Sequence, residues 1–469
     1  MRRRDGGTQL RAESDRIGGL GRGFWLRLIG VAFAVRVVVV FGVLHAMPVV
    51  SDASAYTEQA RRLARHWSTG AYYWPPGQSY ALAGVFVVFG DGDNVAKAAN
   101  IGIDVTAIVL AVLVARRLLV DERAVRLTGW ILAVFPSLVL MSGQPYSLSL
   151  TMVCLLAVTL LLLRGCETGR LAEFAAAGGI LGFAILTRPS TITVIPALSI
   201  VAGVLAWRSL EDGHRSQAAG FKSAAAFCAV ATAVVSPVVV HNQRHGQGLT
   251  VSTANEQNFW LGNNPYTPAY KTWELGSHPV SDFAPPVREY LRGYNPGSPS
   301  LAQRHAMLHD ALAFIAHHPA ITALRTVDRF QAFWGFDFSP SDDIKSALGL
   351  NRIEQFLLTA LEAGAWVAVG LLALLGLTSG RGLIRRAPAL LVLGMVAGYQ
   401  LAYLLGYAAG RWHEPVTGFV AVFAASGASW LLAERDPVPR LLLNQAFLAL
   451  AVLFLAVQAI YAYAVATAL

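Results

Sequence analysis

The chain has 469 residues, 14% of them charged and 55% apolar, with a net charge of +9 and a mean hydropathy of +0.50. Soluble domains carry about 25% charge, so these values exclude a soluble multidomain enzyme and point to a polytopic helical membrane protein. The basic surplus is scattered in short clusters between apolar runs rather than gathered on one domain, which argues against nucleic-acid binding and for orientation in a bilayer.

From the N-terminus, Arg2, Arg3 and Arg4 precede a long apolar run with no small-residue cleavage site, the pattern of a retained signal-anchor. Eleven spans are predicted, at roughly 24–47, 95–119, 124–142, 146–164, 172–187, 190–207, 223–241, 357–378, 388–408, 415–434 and 441–466. Residues 78–90 reach only roughly 20 Å as a helix, against a hydrocarbon core of about 30 Å, and read as a juxtamembrane or re-entrant helix. Basic groups at Arg2–Arg4, Arg116/Arg117/Arg123/Arg126, Arg164/Arg170, Arg208/Arg215, Arg381/Arg385/Arg386 and Arg435/Arg440 recur after every second span. The positive-inside rule places them and the N-terminus in the cytoplasm.

The chain then divides into a cytoplasmic tail (1–23), an N-terminal transmembrane catalytic module (24–241) with a first outer loop at 48–94, an extracytoplasmic loop region of mixed structure (242–356), and a C-terminal transmembrane module (357–469). The first outer loop predicts an interfacial helix from about Ala53 to Trp67, with Tyr56, Ala60, Leu63, Ala64 and Trp67 on one face. Arg61, Arg62 and Arg65 on the other read as a lipid-facing basic rim. The loop region predicts two amphipathic helices over about 301–336, broken at Pro319, with His305, Leu308, Leu312, Ile315, Leu324, Val327 and Phe330 on one side. Cys154, Cys166 and Cys228 lie in or beside apolar segments and imply no disulfide framework.

A charge within or beside a span is costly, so each is a candidate site. Arg36 and Asp104, near the middle of the first two spans, read as a structural ion pair rather than a proton pathway. Asp52, Arg188 and Arg411 sit at span ends on the predicted outer side. Asp52 is equally well placed to cap the 53–67 helix, and either arginine to cap a helix end or snorkel to lipid. Together they suit chemistry on a lipid-linked phosphate. Guanidinium binds phosphate oxygens in pairs and keeps its proton, and a nearby carboxylate can take the proton of an incoming hydroxyl. His305 and His309 are four apart, but no third ligand completes a metal set. A divalent metal is therefore allowed but not favoured, and no other cofactor is called for.

Six segments in order carry a resemblance: Asp52-Ala-Ser-Ala-Tyr56 with Tyr73-Trp-Pro75-Pro76-Gly77; Phe89-Gly90 with Val95-Ala96-Lys97; Gly182 to Thr187-Arg188-Pro189; Pro237 to His241-Asn242 with Gly262-Asn263-Asn264-Pro265; His318-Pro319 to Phe333-Trp334; and Arg411-Trp412-His413-Glu414-Pro415. Over about Arg27 to Pro415 the chain resembles the GT-C membrane glycosyltransferases, in the branch holding protein O-mannosyltransferases and the aminoarabinose transferase of lipid A. That resemblance implies an all-α GT-C-like fold. It implies inverting transfer of a sugar from a polyprenyl-phosphate donor to a glycan, lipid or protein acceptor at the extracytoplasmic face.

It also implies Asp52 as the catalytic base, with Arg188, Arg411, His413, Tyr56, Lys97, His241, Asn242 and Asn263 binding substrate or donor phosphate. Three positions depart from the family's pattern. The turn Ser142-Gly-Gln144-Pro-Tyr146-Ser147 lacks a second acid, Trp74 replaces a lysine, and His241 replaces an arginine. The alternatives are a transporter or flippase of lipid-linked sugars, against which stands the absence of an internal repeat, and a non-catalytic membrane scaffold.

Overall fold

A computed structural model describes residues 20–66, 70–211, 217–267, 285, 288, 299–379, 387–434 and 437–466. Within these the apolar runs become helices, and no strand occurs among the described residues. Among the described residues eight helices are long and apolar enough to cross a membrane: Gly21–Val43, Asp93–Leu118, Ser147–Thr168, Lys222–Arg244, Arg352–Ser379, Pro388–Leu405, Gly410–Ala433 and Gln445–Ala466. Three shorter apolar helices cover Pro76–Phe89, Leu171–Thr187 and Pro189–Ala202. The predicted span at 172–187 thus falls among the short helices, while that at 190–207 is a 3-10 turn, Pro189–Thr193, continued by the helix Val194–Glu211. The predicted span at 124–142 is two pieces, Glu122–Val134 and Pro136–Met141. Of the clusters used for orientation, Arg2–Arg4, Arg215, Arg381, Arg385, Arg386 and Arg435 lie outside the described residues, as does Trp67.

Ser147–Thr168 and Glu414–Ala433 form the centre of the bundle and are buried along most of their length. Close packing there depends on small residues: a Cβ on Gly376 would lie 2.1 Å from the Phe423 carbonyl oxygen, and one on Gly427 2.1 Å from that of Leu372.

The break at Phe135–Pro136 explains the buried charge beside it. Pro136 has no N–H, so the Leu132 carbonyl loses its helical partner, and the extended Phe135 frees that of Ala133 as well. The Arg36 guanidinium donates to both, at 3.3 and 3.0 Å, and to Ala32 at 3.1 Å. Its Nε lies 3.5 Å from Asp104, which also accepts from the Ser142 hydroxyl at 2.6 Å. Arg36 and Asp104 are a buried structural ion pair at a helix break.

The first-loop helix is observed at Ser51–His66, and on its apolar face Ala60 and Leu63 pack with Leu82, Ala83, Phe86 and Ala96. On its other face Arg61 pairs with Asp93 and Arg65 with Asp91 at 2.6 Å, and Arg62 is exposed. The helices Leu301–His317 and Pro319–Trp334, separated at Pro319 as expected, each have a buried and an exposed face. Arg304, Met307, Ala311, Phe314, Arg325, Arg329 and Phe333 point inward, while Leu308, Leu312, Leu324, Val327 and Phe330 are exposed. Arg325 and Arg329 are pushed down to about 10 by burial. They are held by carbonyl oxygens, Arg325 by Gly262 and Thr267, and Arg329 by Gly262, Leu404 and Leu405.

Removing one partner of a buried pair costs about 3–5 kcal/mol. Arg36→Met leaves Asp104 unpaired and also strips two orphaned carbonyls of their donor, whereas Asp104→Asn leaves those carbonyl bonds in place. Arg36→Met is therefore expected to lower the melting temperature in detergent more than Asp104→Asn does, with the double substitution recovering the part of the loss that comes from the unpaired carboxylate but not the part from the orphaned carbonyls.

Candidate active site

The chain entering Asp52 is fixed by Gln144, in the turn where relatives of the resembled family carry an acid. Its amide oxygen accepts from the Val50 N–H at 3.0 Å and its Nε2 donates to the Pro48 carbonyl at 2.9 Å. Asn100 in turn holds the Ser142 and Gln144 carbonyls at 3.1 and 3.3 Å. Ser51 has a φ of 53°, in the left-handed region, which costs a non-glycine residue roughly 1–2 kcal/mol. That strained residue turns the chain into the helix, so Asp52 stands in its first turn, where the helix dipole favours a carboxylate. No other described residue offers the Asp52 carboxylate a hydrogen bond or ion pair.

The second charge comes from Thr187-Arg188-Pro189. Pro189 stops the helix Leu171–Thr187, leaving Arg188 extended at φ −145°, ψ 107°. Pro76 starts the helix Pro76–Phe89, and Gly77 lies so close to this turn that a Cβ would sit 2.4 Å from Thr187 Oγ1 and 2.5 Å from its backbone nitrogen. The Pro-Pro-Gly segment of the first loop is thereby seated on the residue next to Arg188. The Arg188 guanidinium donates to the Tyr403 hydroxyl and to Ser147 Oγ, both at 3.1 Å, and lies 5.9 Å from the Trp412 ring. Tyr403 is in turn bonded to Tyr399 at 2.8 Å and Ser190 at 2.9 Å. Burial opposes the charge of Arg188, but the oxygens of Tyr403, Tyr399 and Tyr56 outweigh that and its pKa is raised. Among the described residues no carboxylate lies within ion-pair distance of it.

Asp52, Tyr56 and Arg188 line one cavity of about 1130 Å³. Tyr73, Trp74, Tyr403, Tyr407 and Trp412 contribute rings to it, and Asn255, Gln257 and Asn258 contribute amides. Burial pushes the Tyr56 phenol up to about 12, with Arg188 acting against it, so Tyr56 stays a neutral hydroxyl at physiological pH.

The other residues singled out from sequence lie elsewhere. Arg411 is not among the lining residues; it lies over the Tyr146 ring at 5.1 Å and donates to Ser339 Oγ at 2.9 Å. His413 stacks on Trp366 at 3.8 Å and bonds the Phe333 carbonyl at 2.8 Å, both in the core. Lys97 is buried against the Met47 carbonyl at 2.6 Å, just upstream of the Asp52 loop. His241 is half-buried, packs on Tyr72 and has its Nε2 3.3 Å from the Gly70 carbonyl.

Asn242 and Asn263 shape the cavity without lining it. Asn242 accepts from the Tyr72 N–H at 2.9 Å and donates to the Thr250 and Val251 carbonyls, fastening the first loop to the 250–254 segment. Asn263 donates to the Leu405 carbonyl at 3.0 Å and accepts from Arg329 at 3.0 Å. No three His, Cys, Asp or Glu side chains among the described residues are grouped to hold a metal ion.

Gly77→Ala forces a Cβ against backbone, and overpacking of this kind costs about 1–3 kcal/mol. Gly77→Ala is therefore expected to lower the melting temperature in detergent, whereas Gly84→Ala in the same helix, where a Cβ meets nothing within 4 Å, is not.

Residues 74–241 match the family described as Dolichyl-phosphate-mannose-protein mannosyltransferase, a segment that includes Arg188 and ends before Arg411, with Asp52 upstream of it. No curated protein matches the chain. Among solved structures it is similar to the apo oligosaccharyltransferase of Archaeoglobus fulgidus, at 15% identity and TM-score 0.51, over 94% of this chain and 55% of that one. It therefore spans about half the length of that enzyme. Further matches are the A. fulgidus oligosaccharyltransferase AglB in complex with an inhibitory peptide and a dolichol-phosphate (14%, TM-score 0.46, 95% and 55%) and ArnT from Cupriavidus metallidurans bound to undecaprenyl phosphate (18%, TM-score 0.43, 84% and 78%). The chain is therefore a polytopic membrane protein with a segment matching that family and a fold similar to that of the A. fulgidus oligosaccharyltransferase.

Proposed function

We propose that the chain transfers a sugar, with inversion, from a polyprenyl-phosphate donor to an acceptor hydroxyl or amine at the extracytoplasmic face of the membrane. The observation that carries this reading is the charge pattern of the cavity: among the described lining residues the charged side chains are one carboxylate, Asp52, and one guanidinium, Arg188. A carboxylate with no hydrogen bond is free to take a proton. A guanidinium held by neutral hydroxyls keeps a net positive charge for an anion.

In the reaction Asp52 removes the acceptor proton as the acceptor atom attacks the anomeric carbon. The bond from that carbon to the phosphate oxygen breaks on the opposite side, and polyprenyl phosphate leaves with its new negative charge facing Arg188. A single displacement inverts the anomeric centre. The outer orientation is supported by the basic clusters after every second predicted span.

Lining by Ile192, Ile195, Val235, Val239 and Leu249, with Ile192 and Leu249 exposed, gives the cavity an apolar flank suited to the polyprenyl chain. With both charges engaged, the remaining lining groups offer rings and amides, which favour an uncharged sugar over an amino sugar or a uronic acid.

The test is transfer in liposomes with a panel of polyprenyl-phosphate sugars, neutral and charged. A general base contributes about 100- to 10,000-fold, so Asp52→Asn is expected to lower kcat within that range with the donor KM little changed. Arg188→Ala is expected to abolish binding of polyprenyl phosphate itself. Undiminished transfer by Asp52→Asn would sink the assignment.

A further inference from the structure

Arg411 stands one residue before Trp412, which lines the cavity, yet its own guanidinium points at a different set of partners. Nε donates to Ser339 Oγ at 2.9 Å, Nη2 lies 4.0 Å from Asp343 Oδ2, and the group covers the Tyr146 ring. The same Asp343 oxygen accepts from the Tyr146 hydroxyl at 2.9 Å. Three segments distant in sequence therefore meet at one carboxylate: the turn before Ser147–Thr168, the helix Ser339–Leu348, and the turn Gly410–His413.

Each segment leads to the cavity. Tyr146 packs with Ala53 and Val49, which flank Asp52 in the chain, and Trp412 packs on the same cluster. The 410–413 turn has no slack. A Cβ on Gly410 would lie 2.6 Å from the Phe336 carbonyl oxygen, and His413 is pinned by Phe333 and Trp366. Trp412 is thus held from both sides, with its ring 5.1 Å from Tyr403 and 5.0 Å from Tyr407 beside Arg188.

We infer that Asp343 is a positioning residue for sugar transfer. Through Tyr146 it sets the segment carrying Asp52, and through Arg411 it sets the indole of Trp412 against Arg188. Arg411 on this account serves as a strut and does not bind the donor phosphate. The inference rests on the transfer reaction proposed above, and assigns the Ser339–Leu348 helix a part in that reaction through contacts outside the cavity.

The experiment compares Asp343→Ala, Asp343→Asn, Asp343→Glu, Tyr146→Phe and Arg411→Ala with the unaltered chain and Arg188→Ala. It measures kcat and donor KM in liposomes and polyprenyl-phosphate binding by thermal shift in detergent. Misplacement by about 1 Å costs up to about 100-fold in rate, so Asp343→Ala is expected to lose 10- to 100-fold in kcat with donor KM within about threefold. Tyr146→Phe and Asp343→Asn, which keep part of the contact, should fall between, and Asp343→Glu should recover part of the loss.

Arg411→Ala should still bind polyprenyl phosphate, in contrast to Arg188→Ala. Loss of that binding in Arg411→Ala, or tighter binding in Asp343→Asn as a released guanidinium turns to the phosphate, overturns the inference and leaves the transfer reaction intact. So does an unchanged kcat in Asp343→Ala. A lowered kcat in every Asp343 variant, with melting temperature reduced in proportion and no recovery in Asp343→Glu, also overturns it, as a purely structural role. No transfer by the unaltered chain from any donor removes the proposed reaction and this inference together.

Discussion

A guanidinium inside an apolar bundle cannot shed its proton, so it must find oxygen atoms, and where this chain supplies them decides what each arginine does. Arg36 takes the carbonyls that Pro136 orphans and a carboxylate besides. Arg329 takes the carbonyls at the end of the helix Ala387–Leu405, where no further helical donors follow, and Arg325 those of Gly262 and Thr267. Arg304 has the Glu256 carboxylate, both oxygens at 3.1 Å, and the Gln247 carbonyl. For Arg36, Arg325 and Arg329 a helix end or a broken helix and a buried arginine satisfy each other, and for Arg304 a carboxylate and a loop carbonyl do.

Arg188 is resolved differently. Its hydrogen-bond partners are hydroxyls, from Tyr403 and Ser147, with a tyrosine and a tryptophan ring alongside. Hydroxyls solvate a cation without cancelling its charge, so the field of Arg188 reaches into the cavity, where water is the competing ligand. The cost of holding that charge falls on the aromatic network of Tyr399, Tyr403, Tyr407 and Trp412, which explains why a cluster of polar rings occupies the ends of two spans. Asp52 is the other charge that lines the cavity, presented by a strained Ser51 and a Gln144 amide rather than by any partner among the described residues.

How much of this was legible in the sequence follows from the same physics. Asp52 and Arg188 stood out because charge at a span end is rare against an apolar background, and Arg36 with Asp104 because charge within a span is rarer still. Tyr403 and Trp412 did not, since an aromatic residue near a span end reads equally as lipid anchor or core. Arg411 and His413 have the same composition signal as Arg188, yet their neighbours Asp343 and Phe333 lie far away in the chain. Only tertiary contact shows that both are already engaged. Lys97 is lost to the Met47 carbonyl for the same reason.

In the helices Leu301–His317 and Pro319–Trp334 periodicity marks two faces without saying which one is buried. The buried face here is the one whose polar groups have partners in the rest of the chain. Leu324, Val327 and Phe330 then face out, and Arg325 and Arg329 face in to grip the backbone at Gly262 and Leu405. The helix Asn255–Gly262, which carries Asn255, Gln257 and Asn258 to the cavity, is held by those arginines and by Arg304. The loop region therefore reaches the candidate site through charge buried on carbonyl oxygens rather than through an apolar seam, and a hydropathy pattern has no means of marking such a contact.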